Sequence, residues 1–316
     1  MTEFELIARY FARAPRSTHG GALLGVGDDC ALLRPNAGLD LALTTDMLVE
    51  GRHFAADAAP RSLGHKALAV NLSDLAAMGA APRWALLAIG LPAVAEDWLA
   101  EFSAGLFALA ERFGVELIGG DTTRSALRTI SIVAIGEVPA GVALYRSGAR
   151  AGDDVWVSGE LGGAALALRR PDIAEAARRL HEPEPRVELG ERLRGLAHAA
   201  IDVSDGLVGD LGHILERSRL AAVLDYARIP RAAAFAALGD TELERDCVLS
   251  GGDDYELLFT AAPDERPALQ ALSRELGLAL TRIGTIEPGA PRLEVRDERG
   301  APLAYRGAYD HFRGRP

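Results

Sequence analysis

Apolar residues at Leu99, Phe102, Leu106, Leu109 and Phe113 recur three or four positions apart, which predicts an amphipathic helix over residues 96–113. Elsewhere the pattern alternates or runs short. Leu39 to Thr45 alternates apolar and polar positions, predicting a strand that runs directly into Asp46. Pro60 opens a predicted helix reaching about Met78, with Gly79 as its stop. Residues 3–13 read as a short helix and 20–29 as a glycine-rich loop. Predicted strands follow over 84–91, 115–118 and 129–138, the second ending at Gly119-Gly120-Asp121. A small, polar stretch, Ser147 to Asp153, marks a domain boundary. Beyond it the pattern predicts strands over 155–158, 200–204, 255–260 and 278–286. Helices are predicted after Gly163 and over 207–218 and 263–276, and a terminal hairpin over 293–305. Alternating elements in both halves predict a two-domain α/β (α+β) protein, with domains at 1–148 and 149–316.

Composition narrows the class. A chain of 316 residues suits two cores of about 150 residues each. With 49% apolar and 25% charged residues it is expected to be globular. A net charge of -11, without a run of Lys and Arg, argues against nucleic acid as partner. Cys30 and Cys247 have no metal-ligand spacing and read as reduced thiols. The opening Glu3 to Phe11 stretch lacks the basic start and apolar core of a signal peptide. No apolar run of about 18 residues predicts a membrane span. The expected location is the cytoplasm.

Acidic motifs recur where predicted elements meet loops. They are Gly27-Asp28-Asp29, Thr44-Thr45-Asp46, Asn71-Leu72-Ser73-Asp74, Gly119-Gly120-Asp121, Asp202-Val203-Ser204-Asp205-Gly206 and Gly251-Gly252-Asp253-Asp254. Hard divalent ions such as Mg²⁺ take such oxygen ligands together with water and phosphate. Several ions would let an acidic protein hold a triphosphate and stabilise in-line phosphoryl transfer. A lone Gly-Asp is more often a turn, and Asp153-Asp154 reads as one. Asp28 reads as a loop residue beside Asp29. Asp74 is harder to treat so, because a carboxylate on a mostly apolar helix face needs a partner, and Asn71 lies one turn earlier. The chain has no Gly-x4-Gly-Lys-Ser/Thr phosphate loop, no dinucleotide fingerprint and no nucleophile elbow.

Taken in order, these motifs resemble those of bacterial thiamine-monophosphate kinases. The resemblance includes Gly25 to Ala31, Thr44 to Phe54, Lys66 to Gly79, Ile118 to Thr123, Asp202 to Leu207, Ser250 to Leu257 and Gly307 to Phe312. It implies an aminoimidazole-ribotide-synthetase-like fold, with N-terminal domains that pair in a homodimer and a C-terminal α/β domain completing the substrate site. It implies transfer of the ATP γ-phosphoryl group to thiamine monophosphate, with several Mg²⁺ ions. By the same resemblance Asp29, Thr44, Thr45, Asp46, Asp74, Asp121, Asp202 and Asp205 are the expected metal ligands. Gly120, Asp121, Arg146 and Ser204 are the expected ATP contacts, and His53, Glu256 and Tyr309 the substrate contacts. An aromatic ring suits a cationic thiazolium, and both Tyr309 and Phe312 can supply it. A guanidinium such as Arg146 suits phosphate, and equally a surface position at a domain junction. No general base is expected, because the attacking phosphate oxygen is already ionised near neutral pH.

The rival readings differ in what they require. A selenophosphate synthetase needs a reactive Cys before residue 30, and the hydrogenase-maturation relatives need a C-terminal Cys; this chain has neither. Aminoimidazole-ribotide synthetase lacks the Tyr255-Glu256 context. A metal-dependent phosphohydrolase would release phosphate without an acceptor, and a silent nucleotide-binding regulator would lack metal ligands that are all present here.

Overall fold

A computed structural model describes residues 2–13 and 21–307 of the chain. It divides into two compact units, Met1–Leu75 with Ala80–Gly141, and Ala76–Gly79 with Val142–Pro316.

The first unit opens with α1 (Glu3–Leu6), capped reciprocally by Thr2 and Glu5, and continues through a π turn, Ile7–Phe11. Then come β1 (Ala22–Leu24), β2 (Leu32–Leu33), β3 (Leu39–Val49), α2 (Pro60–Ala77), β4 (Ala81–Leu91), α3 (Glu96–Phe113), β5 (Glu116–Arg124) and β6 (Thr129–Pro139). The long strands form one sheet in the order β3-β6-β4-β5, in which only β4 and β5 are parallel. Leu87, Ile89, Ile130 and Ile132 are buried on one face. That face meets α2, because Asp46 stands opposite Ile132 and its N–H donates to Asn71 of α2 at 3.0 Å. α2 and α3 cross at two glycines. A Cβ at Gly105 would overlap the Arg61 carbonyl oxygen, and one at Gly64 the Phe102 carbonyl oxygen. The other face is open at β3, where Leu43 is 63% and Met47 55% exposed. Further along, the β1–β2 hairpin covers it, Ala22 and Leu33 packing on Trp84, Ile118 and Ile135.

The second unit contains β7 (Asp154–Ser158), α4 (Gly163–Arg169), α5 (Ala174–His181), α6 (Val187–Leu193), β8 (Ala197–Asp202), α7 (Leu207–Ser218), β9 (Ala221–Asp225), α8 (Thr241–Ser250), β10 (Leu257–Ala261), α9 (Arg266–Leu276), β11 (Leu280–Glu287) and β12 (Arg292–Arg296). Its sheet runs β12-β9-β11-β7-β10-β8, antiparallel except where β12 joins β9. Leu166 of α4, Leu211 and Ile214 of α7 and Val248 of α8 share a core with Val155, Val157, Ile201 and Leu258 of the strands. Strand alternation sends Trp156 and Phe259 to the opposite face, where they stack at 6.4 Å.

Three expectations need correction. β5 does not stop before Gly119-Gly120-Asp121 but carries the motif within it to Arg124, because parallel pairing with β4 continues through Gly120 opposite Leu87. The terminal hairpin is reduced to β12, a turn and a single bridge from Arg296 to Pro302; a proline cannot donate to a ladder. Asp153 closes a turn as expected, its N–H donating to the Arg150 carbonyl at 3.0 Å, but it is buried, and Asp154 is a buried strand residue rather than part of that turn. Asp154 starts β7 between Arg266 at 2.6 Å and Arg282 at 2.5 Å, and Asp153 pairs with His198 at 2.9 Å. Arginines more than a hundred positions away supply the counter-charge that local sequence did not reveal.

Candidate functional site

Within the first unit the expected oxygen ligands fall into two groups. Thr44 and Asp46 point to the helix face of β3, and Asp74 meets them from α2. The Thr44 hydroxyl donates to the Asp74 carboxylate. Asn71, fully buried one turn before Asp74, accepts the Asp46 N–H and donates to the Ala67 carbonyl at 3.0 Å. The buried amide thus locks the strand to the helix at the point where the two carboxylates stand.

The second group lies at the far edge of the same sheet. Asp29, Gly120, Asp121 and Thr122 line a cavity of about 820 Å³ whose apolar wall includes Phe4, Ile7, Phe11 and Ile118. Gly120 adopts φ +144°, and a Cβ there would overlap the Leu87 carbonyl oxygen, so the position admits only glycine. Asp28 accepts the Asp29 N–H at 2.8 Å, as a loop residue would. The cross-strand rows fix the separation. Asp46, Ile132, Leu87 and Gly120 form one row, so Asp46 and Gly120 are three strand spacings apart, roughly 14 Å. The next row, Met47, Ser131, Ala88 and Asp121, puts Asp121 on the open face. Thr45 shares that face, its hydroxyl 3.4 Å from Ser131.

In the second unit the motifs at 202–206 and 251–256 are laced together by their backbones. Val203 N–H donates to the Glu256 carbonyl at 2.8 Å, Tyr255 N–H to Val203 at 2.8 Å, and Asp253 N–H to Ser204 at 2.9 Å. The lacing holds Asp253 at φ 69° and Tyr255 at φ 51°, left-handed conformations that non-glycine residues adopt only under constraint. Asp202, at the end of β8, is buried. Asp254 is also buried and accepts the Gly162 N–H at 2.7 Å. Burial pushes its carboxyl up to about 8, against the lowering effect of that hydrogen bond, and the neighbouring Glu256 charge adds to the rise.

Glu256 is 1% exposed, and four donors on this chain meet its carboxylate. Arg186 binds it through two nitrogens, at 2.7 and 2.5 Å, while Arg179 approaches to 3.0 Å and the Ser158 hydroxyl to 2.6 Å. Four donors match the four lone-pair sites of a carboxylate. Gly159, at φ +58°, has no room for a Cβ beside the same carboxylate.

The remaining expected contacts are placed separately. His53 Nδ1 accepts the Val49 N–H at 3.0 Å, which assigns the ring proton to Nε2. Arg146 is exposed in the second unit. Tyr309 and Phe312 lie outside the described residues. Sequence reasoning did not single out Arg179, Arg186, Ser158 or Asp210. Arg186 follows the two prolines of the run Glu182 to Arg186 and carries no recognised motif. Asp210 is 2% exposed and lies one turn into α7. Burial and the Asp205 charge raise its carboxyl to about 7, opposed by backbone N–H groups of Asp205, Gly206 and Ser204.

The donor set is all hard oxygen, which fits Mg²⁺ rather than zinc or copper. Among the described residues no three His, Cys, Asp or Glu side chains converge on one point. Ions held here would therefore take phosphate and water for much of their coordination, as Mg²⁺ commonly does.

Two family models match the chain, AIR synthase related protein N-terminal domain over 27–138 and C-terminal domain over 150–296. The thiamine-monophosphate kinase of Escherichia coli K12 is 46% identical over 321 residues, covering 98% of each chain. The crystal structure of thiamine-monophosphate kinase from Stenotrophomonas maltophilia K279a superposes with TM-score 0.86 at 48% identity, covering 96% of this chain and 98% of that one. AaThiL complexed with AMPPCP and TMP superposes with TM-score 0.77 at 31% identity, covering 88% of this chain and 89% of that one.

Proposed function

The chain belongs to the thiamine-monophosphate kinase family, built from the two AIR synthase related domains, and we propose that it phosphorylates thiamine monophosphate with ATP. The observation that carries the reading is a likeness over 88% of the chain to a neighbour bound to both AMPPCP and TMP. The complete oxygen set at Asp29, Thr44, Thr45, Asp46, Asp74, Asp121, Asp202 and Asp205 supports it.

In this reading the transfer is direct. The attacking group is a phosphate oxygen of thiamine monophosphate, already ionised, and the bond broken joins the γ-phosphorus of ATP to the β,γ-bridging oxygen. The protein aligns the two and stabilises charge, which is most of what phosphoryl transfer requires. The eight oxygen-bearing residues would hold Mg²⁺, which supplies charge neutralisation at the phosphates. Gly120 lets phosphate approach the backbone, and Ser204 and Arg146 supply hydrogen-bond donors. The apolar wall at Phe4, Ile7 and Phe11 suits a base. His53, Glu256 and a C-terminal aromatic, Tyr309 or Phe312, face the thiamine portion. Because its own chain already satisfies Glu256, a thiamine amino group would replace one of the present donors, most readily the half-exposed Arg179.

We further infer a homodimer. The open face of β3 presents Leu41, Leu43 and Met47, an apolar strip that a second copy would cover. The first unit then carries the dimer contact and most of the metal ligands, and the second supplies Arg146, Asp202, Ser204 and Asp205 together with the substrate contact Glu256. Among the described residues no helix is long and apolar enough to cross a membrane, in keeping with a cytoplasmic enzyme.

A coupled ADP assay tests the reading, with thiamine monophosphate, thiamine and no acceptor in parallel, each with Mg²⁺ and with chelator. ADP is expected only with thiamine monophosphate and Mg²⁺. Phosphate release at the same rate without acceptor would make the chain a phosphohydrolase. Near-normal turnover in Asp46→Asn or Asp74→Asn would remove the metal assignment.

A further inference from the structure

One oxygen of Asp210 accepts three consecutive backbone N–H groups, from Ser204 at 3.1 Å, Asp205 at 3.2 Å and Gly206 at 3.0 Å. Successive N–H groups that converge in this way form a concavity suited to an anion. Here a buried carboxylate of the same chain occupies it. The rest of the loop is also accounted for. The carbonyls of Val203 and Ser204 accept from Tyr255 and Asp253, and the Gly206 carbonyl from Gly209 and Asp210, each at 3.0 Å. Gly206 takes φ +116° where the Ser250 backbone leaves no space for a Cβ. The loop is therefore held from both sides, by the 253–256 backbone and by a single side chain.

We infer that Asp210 is the positioning residue of the nucleotide and metal loop, fixing Ser204 and Asp205 by occupying the N–H groups beneath them. The inference rests on the proposed roles of those two residues. A cap confined to α7 is an insufficient description of Asp210, because Ser204 and Asp205 precede both that helix and its cap, Gly206. The Glu256 side chain has its own anchor in Arg186, so loss of Asp210 is expected to fall mainly on nucleotide and metal.

Two full-length variants separate the possibilities. Asp210→Ala removes the acceptor. Asp210→Asn keeps an oxygen that can accept the same three N–H groups. Calorimetric titration with Mg²⁺-ATP gives a readout that does not need turnover, and steady-state rates then give KM for ATP, Mg²⁺ and thiamine monophosphate. Asp210→Ala is expected to weaken Mg²⁺-ATP binding by about tenfold or more, the range seen for residues that orient metal ligands. Its KM for thiamine monophosphate should stay within about twofold of the parent value, and Asp210→Asn should recover most of the lost affinity. Unchanged Mg²⁺-ATP affinity in Asp210→Ala would overturn the inference. So would equal loss in both variants, or a matching rise in both substrates' KM. If Asp210→Ala does not fold, Asp210→Asn decides alone: near-parental affinity supports the role, and a tenfold loss removes it. A parent protein that binds Mg²⁺-ATP yet makes no ADP with thiamine monophosphate would sink the kinase reading, while the comparison of affinities still stands.

Discussion

Replacing Arg186 with methionine should destabilise the second unit by about 3 kcal/mol, the lower end of what breaking a buried ion pair costs. The Glu256 side chain is 1% exposed and that of Arg186 15%, so water cannot take over the lost partner. The variant removes the two hydrogen bonds at 2.7 and 2.5 Å. Hydrogen bonds to charged groups contribute about 1.5–3 kcal/mol each. The sum is discounted because Arg179 and Ser158 remain, although Arg179 is 38% exposed and its attraction is screened. A loss of about 3 kcal/mol lowers Tm by about 6–12 °C in a domain of this size. Urea and thermal denaturation of the parent, Arg186→Met, Glu256→Leu and the double variant complete a cycle. The double variant should be more stable than Arg186→Met, because no buried carboxylate is left without its partner. If Arg186→Met changes stability by under about 0.5 kcal/mol, or the two losses simply add, the pair does not hold the loop as argued.

Two other outcomes follow from the packing and the buried acid. Gly105→Ala should cost about 2–3 kcal/mol, because its Cβ overlaps the Arg61 carbonyl oxygen and α2 and α3 must move apart; a urea midpoint equal to the parent's would contradict the close crossing. Asp254, raised to about 8 from an ordinary 3.8, binds a proton in the folded chain that the unfolded chain releases. The stability it contributes is full below about 4 and is lost as pH rises through about 8, at up to about 1.4 kcal/mol per pH unit. Asp254→Asn, neutral throughout, should show a flatter decline in stability from pH 5 to 8; identical slopes for parent and variant would refute this.

Elements whose burial follows a single period were legible from the chain alone. Residues 96–113 and 207–218 are helices with the bounds that apolar spacing predicts. β9 escaped notice because Ala221 to Leu224 is a short apolar run without alternation, compatible with either helix or strand. α8 escaped although Asp240 caps it, accepting the Leu243 N–H at 3.0 Å, a signal the sequence does contain. At the site, the motifs located the carboxylates but not what surrounds them. Asp154 and Glu256 are both acids near a glycine turn in sequence. Only folding brings Arg266 and Arg282 to one, and Arg179 and Arg186 to the other. Nor does local pattern reveal that Asp46 and Asp121 stand on opposite faces of one sheet, since that depends on the register of four strands.

The lacing of 203–206 to 253–256 consists of main-chain hydrogen bonds, which are indifferent to side-chain identity. Substitution at Ser204, Asp205 or Glu256 therefore leaves the spacing between the two loops unchanged, provided Gly206 and Gly252 stay glycine. If the first loop holds the nucleotide and the second the acceptor, as proposed, a lineage could exchange one acceptor for another by altering side chains on the second loop alone. The frame would then separate innovation in substrate from conservation of the energy donor.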